Sequence, residues 1–284
     1  MSATPPPNNV HYLMPPVVTS LTEQFGEQIA RCVQHSTDLQ RAAETLNALR
    51  ELGVLEAFKE RRSAIPRIKE WLRDGNNQRF VFVGTSLRGL LWDREGDTEV
   101  LELIRKRLAA EKELVQSGGR SRLCIRFLFT HPAFAYLRQE AEGDERQLAD
   151  TSIREEILIT VLKLRKYGIE PGWISFFLGT PTMFGVMSDN AMFINPYPYK
   201  KQSYTSFGLI IQKTRVAVGV ESLYDQLCKS HFQGVLDDRR NTATWKDDDL
   251  DTLWRTSLET VSRDRGLADP LPNRLREMLK DVTA

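Results

Sequence analysis

A Gly-Thr-Ser turn between two apolar segments is the part of the sequence best suited to bind a ligand. A strand-like run at residues 79–83 enters the turn, and an apolar, helix-like segment leaves it. Where a buried strand leads into a helix, the free N–H groups of the first helical turn favour a negative partner. Thr85 and Ser86 add hydroxyl groups, and Arg88 adds a guanidinium suited to phosphate or carboxylate. The turn therefore predicts an anion-binding site.

A second candidate is the loop at residues 195–207, where prolines and small polar residues separate two strand-like segments. Its tyrosines offer stacking faces, Lys200 and Lys201 offer charge, and Ser203 and Ser206 offer hydroxyl groups. Aromatic faces beside cations suit nucleobases and phosphates. This mixture is compatible with a nucleotide or another phosphorylated ligand. The alternative interpretation is a solvent-exposed loop with tyrosines at its rim.

His131 is the histidine best placed to act as an acid, base or nucleophile. It follows a predicted strand, where an α/β sheet presents its ligand-facing loops. The alternative, which we favour, is a loop histidine at the start of a helix, held by Pro132. The four histidines and three cysteines (Cys32, Cys124 and Cys228) show no metal-ligand spacing, so no metal or other cofactor is expected.

Composition places the chain among soluble globular proteins. It has 284 residues, 41% of them hydrophobic and 27% charged, with a formal net charge of +1. The near-neutral charge does not indicate a dedicated nucleic-acid binder. No apolar run approaches the ~20 residues that cross a bilayer, and the Pro-rich start lacks the features of a signal peptide. The sparse cysteines indicate reduced thiols, and we expect a cytoplasmic protein.

Four segments are predicted along the chain. Residues 1–17 are rich in Pro and Asn, so we expect a flexible N-terminus. Residues 18–53 begin with a capping box at Ser20 and Glu23 and form two helices with one apolar stripe each. This helical hairpin either packs on a partner protein or a second copy, making a homo-oligomer, or packs on the chain's own core. Residues 54–236 form an α/β domain, and residues 237–284 form a charged helical tail.

Strands alternate with helices in the central segment. We predict strands at 79–83, 123–129, 173–178, 184–188, 191–194 and 207–212, and helices at 65–72, 98–115, 132–142, 152–166 and 220–232. Strands separated by helices of this length favour an α/β sandwich with a mainly parallel or mixed sheet.

This order of elements resembles the phospholipase D-like fold, specifically its degenerate single-copy bacterial branch. The resemblance covers about residues 52–235. It rests on four segments, at residues 52–62, 82–90, 126–132 and 181–196. It implies a mixed sheet flanked by helices, with the ligand site at the C-terminal edge of the sheet.

The resemblance also implies a loss of catalysis. Active members of the family carry a His-x-Lys-x4-Asp motif, in which the His attacks phosphorus and the Lys holds the phosphate oxygens. At the matching positions this chain has Thr182, Phe184 and Asp189. Phenylalanine cannot hold phosphate charge, and an unactivated threonine is a poor nucleophile at neutral pH.

The sequence therefore indicates a catalytically silent sensor or regulatory module that binds an anionic, phosphate-bearing ligand or a protein partner. Relatives in this branch often accompany signalling or DNA-binding modules and bacterial defence proteins. The predicted pocket residues are Thr85, Ser86, Arg88, His131, Thr182, Asn195, Lys200 and Ser203. Two alternatives stay open: a phosphodiesterase or nuclease that uses His131 in a dimeric site, and an interaction scaffold whose helical ends bind the partner.

Overall fold

The computed structural model describes residues 36–92, 98–142, 152–197, 206–214 and 221–245. These residues form a mixed α/β structure around one eight-stranded sheet. The predicted fold class is thereby confirmed at the level of a mixed sheet with flanking helices. The predicted flexible segment 1–17, the first helix of the hairpin and most of the tail lie outside the described residues.

The sheet combines three parallel strands with antiparallel neighbours on both sides. Its spatial order is β1-β7-β6-β5-β2-β3-β4-β8. Only β2, β3 and β4 pair in parallel; every other neighbouring pair is antiparallel. The strands are β1 (Val54–Phe58), β2 (Arg79–Gly84), β3 (Cys124–Thr130), β4 (Ile174–Phe177), β5 (Met183–Met187), β6 (Ala191–Pro196), β7 (Gly208–Gln212) and β8 (Thr242–Thr244).

The helices connect the strands and cover both faces of the sheet. They are α1 (Ser36–Glu51), α2 (Ile65–Arg73), α3 (Arg88–Leu91), α4 (Glu99–Gln116), α5 (Ala135–Glu142), α6 (Ile153–Lys166), α7 (Leu223–Leu227) and α8 (Gln233–Asp237). A π-helical turn, Cys228–Phe232, joins α7 to α8, and short 3-10 helices occur at Arg61–Ala64, Pro132–Phe134 and Pro171–Trp173. In the described residues, no helix is long and apolar enough to span a membrane.

The two faces of the sheet bury different cores. One face carries a row of phenylalanines from β2 and β3, in which the rings of Phe82 and Phe127 stack with centroids 4.9 Å apart. Apolar side chains of α2 to α6 cover this row, so we call it the helix-covered face. The other face is aliphatic, and the helical segment 223–237 covers it with Tyr224 and Phe232. Because successive strand residues point to opposite sides, burial of both faces explains the continuous apolar runs of β2 and β3.

Glycines allow the closest packing on the second face. A Cβ atom placed on Gly185 of β5 would lie 2.5 Å from Cζ of Phe232. Any larger residue at position 185 would therefore displace the ring that anchors the segment 223–237.

Two strands and one helix differ from the sequence-based expectations. The edge strands β1 and β8 were not predicted, because β1 has Glu56 at its centre and β8 has only three residues. The helix predicted at 220–232 is instead a series of α, π and α turns through Asp237. Helix α1 lies where the second helix of the hairpin is predicted, but the hairpin itself stays a prediction.

Candidate functional site

The predicted site residues converge on one edge of the sheet. The C-terminal ends of β2, β3 and β4 meet there, together with the start of β5 and the end of β6. This edge brings together Thr85, Ser86, Arg88, His131, Thr182 and Asn195. Lys200 and Ser203, which were also predicted to line the pocket, lie outside the described residues.

In the Gly-Thr-Ser turn, two of the polar side chains bind an internal carboxylate. The hydroxyl of Ser86 donates a hydrogen bond to Oε2 of Glu156, at 3.1 Å, and Nη1 of Arg88 forms an ion pair with Oε1. Glu156 is buried on α6, and the Arg88 side chain is only 16% exposed. The negative partner that the turn favours is therefore present within the chain. The helix that follows the turn has only four residues.

The backbone of the turn is tied to the end of β6. The N–H of Thr85 donates a hydrogen bond to the hydroxyl of Tyr197, at 2.8 Å. Gly84 permits this approach, since a Cβ atom there would lie 3.2 Å from that hydroxyl and 2.7 Å from Leu87. Leu87 itself has a φ of 53°, the one positive φ among the described non-glycine residues. The turn is thus a fixed, tightly packed connection.

Two buried arginines lie against aromatic rings on the helix-covered face. The Arg138 guanidinium lies 4.5 Å from the centroid of the Tyr197 ring, and its Nε lies 3.1 Å from Oε1 of Glu142. The Arg61 guanidinium lies 4.6 Å from the centroid of the Phe184 ring. We call Arg61, Arg138, Glu142 and Tyr197 the arginine cluster. Its cations rest on aromatic faces, a favourable arrangement for a guanidinium removed from water.

Burial changes the electrostatics of this cluster. Loss of hydration lowers the pKa of Arg61, although Tyr197 and Glu142 oppose that effect. Arg61 keeps its charge, because a guanidinium has a very high intrinsic pKa. Its side chain also reaches helix α3: a Cβ atom on Gly89 would lie 2.6 Å from Nη2 of Arg61. The cluster therefore contacts the turn region as well as β5.

Some polar atoms at this edge have no hydrogen-bond partner in the described structure. They are Oγ1 of Thr85, Oγ1 of Thr130 and Oδ1 of Asn195. Asn195 is fully buried, and its amide nitrogen donates to the Phe207 carbonyl at 2.6 Å and to Ser206. A buried polar atom without a partner is unfavourable, so each of these three oxygens retains an unused capacity to accept a hydrogen bond.

The surroundings of His131 are aromatic. Its Nδ1 accepts the N–H of Ala133 at 3.2 Å and so caps the 3-10 helix Pro132–Phe134. The rings of Phe134 and Phe176 contact the imidazole edge-on, and burial lowers its pKa. In the described ranges, no carboxylate forms an ion pair with it. This geometry agrees with a helix-start residue.

Thr182, Phe184 and Asp189, the positions that the resemblance aligns with the His-x-Lys-x4-Asp motif, each contact other parts of the chain. Thr182 is exposed, and its carbonyl accepts the N–H of Tyr197. Phe184 is buried beneath Arg61. Asp189 lies at the opposite edge of the sheet, where its Oδ2 accepts the backbone N–H groups of Gln78 at 2.6 Å and Arg79 at 2.9 Å.

Arg138, Glu142 and Glu156 were not predicted from the sequence. Tyr197 is one of the tyrosines of the candidate loop at residues 195–207, and Arg61 belongs to the segment 52–62 that carries the resemblance. The i,i+4 spacing of Arg138 and Glu142 is common on exposed helices and does not indicate burial. Among the described residues, no group of three or more His, Cys, Asp or Glu side chains could hold a metal ion.

Known protein families and solved structures show little similarity to this chain. No protein-family model matches the chain, and no curated protein matches it in sequence. One solved structure with detectable similarity is that of TrmBL2, described as an archaeal chromatin protein with a novel mode of DNA binding. The match is 11% identical with a TM-score of 0.29, and it covers 69% of this chain and 63% of that one. At this level the similarity supports no functional argument.

Proposed function

We propose that this chain is a ligand-binding regulatory domain that holds an anionic, phosphate-bearing ligand at the C-terminal edge of its sheet. The observation that supports this proposal is the burial of two arginines at that edge, Arg61 against the Phe184 ring and Arg138 against the Tyr197 ring. Guanidinium groups offer several N–H donors in a fixed plane, which match the oxygens of a phosphate.

Burial strengthens an anion interaction at this position. In surroundings poorer in water than the surface, the attraction between a guanidinium and a phosphate is less screened. Thr85 and Asn195 have buried oxygen atoms without partners in the described structure, and they supply additional hydrogen-bonding positions at the same edge. Tyr197 contributes an aromatic face and a hydroxyl. The ligand in this proposal is therefore a phosphate attached to a group that can hydrogen-bond or stack.

We also propose that the chain is a degenerate phospholipase D-like domain that has lost catalytic activity. Thr182 and Phe184 stand where the family has its nucleophile and its phosphate-binding lysine. The Arg61 guanidinium lies over the Phe184 ring, so a cation is present where the family has its lysine. In the described structure, no nucleophile accompanies this cation. The aromatic surroundings of His131 also favour binding over catalysis, since no described acidic group orients this imidazole.

The Gly-Thr-Ser turn has a supporting role in this proposal. Ser86 and Arg88 contact Glu156, so an incoming phosphate would compete with that carboxylate at the turn. Arg61 and Arg138 are accordingly the principal ligand-binding residues. Lys200 and Ser203 stay in the proposal as residues of the adjoining loop.

The experiment measures binding of inorganic phosphate and of nucleoside monophosphates by isothermal titration calorimetry. In Arg61→Gln the charge is removed while a polar side chain is kept, and we expect the affinity to fall about tenfold to a hundredfold. Arg62→Gln is the matched control, because Arg62 is the next residue and is exposed. We expect that variant to bind within about twofold of the unchanged protein.

Two further checks separate binding from folding. Arg61→Lys keeps the charge but loses the planar donor fork, so an intermediate affinity is expected. Circular dichroism of each variant shows whether the fold persists. Equal affinity in Arg61→Gln and Arg62→Gln would reject the arginine cluster as the site. Absence of binding of every probe to the unchanged protein would reject the proposed function.

A further inference from the structure

A surface groove lies at the N-terminal ends of the parallel strands, whereas the arginine cluster lies at their C-terminal ends. It has a volume of about 460 Å³ and is lined by Gln78, Glu111, Leu114, Arg120 and Arg122. Gln78 precedes β2, Arg120 and Arg122 precede β3, and the other two residues belong to the C-terminal half of α4. The groove is therefore built by the N-terminal ends of two central strands and one helix.

The groove combines positive charge with exposed apolar surface. Arg120 and Arg122 are exposed, and within the described part of the chain neither guanidinium makes a hydrogen bond or an ion pair. Leu114 is 46% exposed, and the adjacent Val115 is 47% exposed. A segment that offers carboxylates next to apolar side chains would complement this surface.

Glu111 adds one negative charge to the groove, against the two positive charges of Arg120 and Arg122. Its Oε1 accepts the backbone N–H of Leu123 at 3.2 Å and that of Arg122. These bonds to Leu123 and Arg122 hold the pKa of Glu111 below its usual value. The carboxylate is thus engaged with the backbone that leads into β3. With two guanidinium groups and one carboxylate in its lining, the groove keeps a net positive charge.

The sequence after β8 has the complementary composition. Residues 247–254 are Asp-Asp-Asp-Leu-Asp-Thr-Leu-Trp, with four carboxylates, two leucines and a tryptophan in eight positions. The described structure reaches Trp245, whose N–H donates to the Ile174 carbonyl at 2.9 Å. Because β8 is antiparallel to β4, the chain leaves the sheet at the N-terminal edge of β4. This is the edge that holds the groove.

The distance is within reach of this segment. β8 is separated from β3 by β4 alone, so the lateral distance is two strand spacings, ~10 Å. Ile174 pairs with Phe127, and Arg122 precedes Phe127 by ~17 Å of extended chain. The combined separation is ~20 Å, and seven extended residues span ~23 Å. Residues from about 251 onwards can therefore reach the groove without any change in the sheet, and the long side chains of Arg120 and Arg122 can meet the carboxylate of Asp249.

We propose that residues 247–254 dock intramolecularly into this groove. Their aspartates pair with Arg120 and Arg122, and their leucines or tryptophan cover Leu114 and Val115. This contact would fasten the end of the chain to the edge remote from the arginine cluster. It is independent of the proposed ligand-binding function.

Hydrogen exchange followed by mass spectrometry tests the contact in the full-length protein at low salt. The double variant Arg120→Glu/Arg122→Glu reverses the charge of the groove. We expect exchange in peptides covering residues 247–254 to accelerate about tenfold, because the carboxylates then face like charges. The matched control, Lys106→Glu/Lys112→Glu, makes the same charge change on exposed positions of α4 that do not line the groove, and we expect unchanged exchange.

A charge swap provides the decisive comparison. Adding Asp249→Arg/Asp251→Arg to the groove variant should restore slow exchange in residues 247–254. Unchanged exchange in β3 within the same samples shows that the fold is intact. The proposal is overturned by fast exchange of the segment in the unchanged protein or by protection that survives the groove variant. Protection that increases with protein concentration would assign the contact to a second copy and overturn the intramolecular arrangement.

Discussion

Individual side chains at the C-terminal sheet edge combine buried charge with aromatic rings. Arg61 rests on Phe184, and Arg138 rests on Tyr197, while Glu156 is bound by Ser86 and an arginine. Each cation is therefore separated from water on at least one side by a ring. Such interactions are more favourable when they are desolvated, which is the condition at this edge.

His131 gives a pH-dependent prediction. Burial lowers its pKa in the folded protein from the ordinary value of 6.5, so the folded chain binds this proton less readily than the unfolded chain. The stability associated with the neutral ring is fully present above pH 6.5. It is lost progressively as the pH falls from there through the folded pKa.

The variant His131→Asn isolates this effect. Asparagine retains an acceptor for the Ala133 N–H, since it is a preferred helix-capping residue, but it does not titrate. We expect urea denaturation at a series of pH values to show a shallower decline below pH 6.5 in the variant than in the unchanged protein. Parallel stability curves for the two proteins would contradict this expectation.

Sequence reasoning located the edge residues but not their partners. The turn at Thr85 and the loop at His131 were predictable, because each follows an apolar strand and parallel strands end at a common edge. The contact between Arg88 and Glu156 joins positions 68 residues apart, and no local pattern indicates it. Arg138 appears as an ordinary polar residue of a surface helix until the tertiary structure buries it.

Among the strands, the connection between β5 and β6 is fastened to the start of β2. Asp189 makes this attachment through two backbone hydrogen bonds. It lies remote from Thr182 and Phe184, so its contribution is to strand arrangement. Hydrogen bonds from backbone N–H groups to a charged carboxylate are stronger than hydrogen bonds to a neutral acceptor.

The variant Asp189→Ala is expected to lower the free energy of unfolding by about 2 kcal/mol, because two backbone N–H groups, the part-buried one of Gln78 and the exposed one of Arg79, lose a charged acceptor. Asp189→Asn keeps one oxygen acceptor and should lose less. Asp237→Ala is the control, since Asp237 is exposed and its carboxylate accepts a hydrogen bond from the Gln233 side chain alone in the described contacts, and a change within about 0.5 kcal/mol is expected. Chemical denaturation gives all three values. Equal losses at positions 189 and 237 would count against the attachment.

Most of the strand positions could be predicted from the sequence. The six predicted strands agree with β2 to β7 within two residues at each end, because apolar runs bounded by Gly, Pro and polar residues are strong signals. The edge strands lacked that signal, since each has its outer side unpaired and needs fewer apolar residues. The π-helical turn was not predictable, as its geometry follows from the placement of Phe232 against Gly185.

Across the whole molecule, the central strands of the sheet are expected to be locally more stable than the edge strands. β2 and β5 lie in the middle of the sheet, and both faces of β2 are buried. At one margin β8 has three residues, two of them exposed. Local opening requires less free energy where fewer apolar contacts are broken. The two ends of the sheet should therefore open before its centre.

Amide exchange measured by NMR tests this order. We expect amides of β2 and β5 to exchange at least about a hundredfold more slowly than those of β8, since the central strands open only with the whole structure. Exchange in β8 as slow as that in β2 would show that the edge strand is as stable as the central strand.

The strand order also has a consequence for biosynthesis. β1 has a single neighbour in the sheet, β7, which begins about 150 residues later in the chain. At ribosomal rates of ~5–20 residues per second, β1 emerges from the ribosome ~8–30 s before β7 does. During this interval its backbone N–H and C=O groups have no native strand to bind. The nascent chain must therefore hold β1 in another arrangement, or with a chaperone, until β7 emerges.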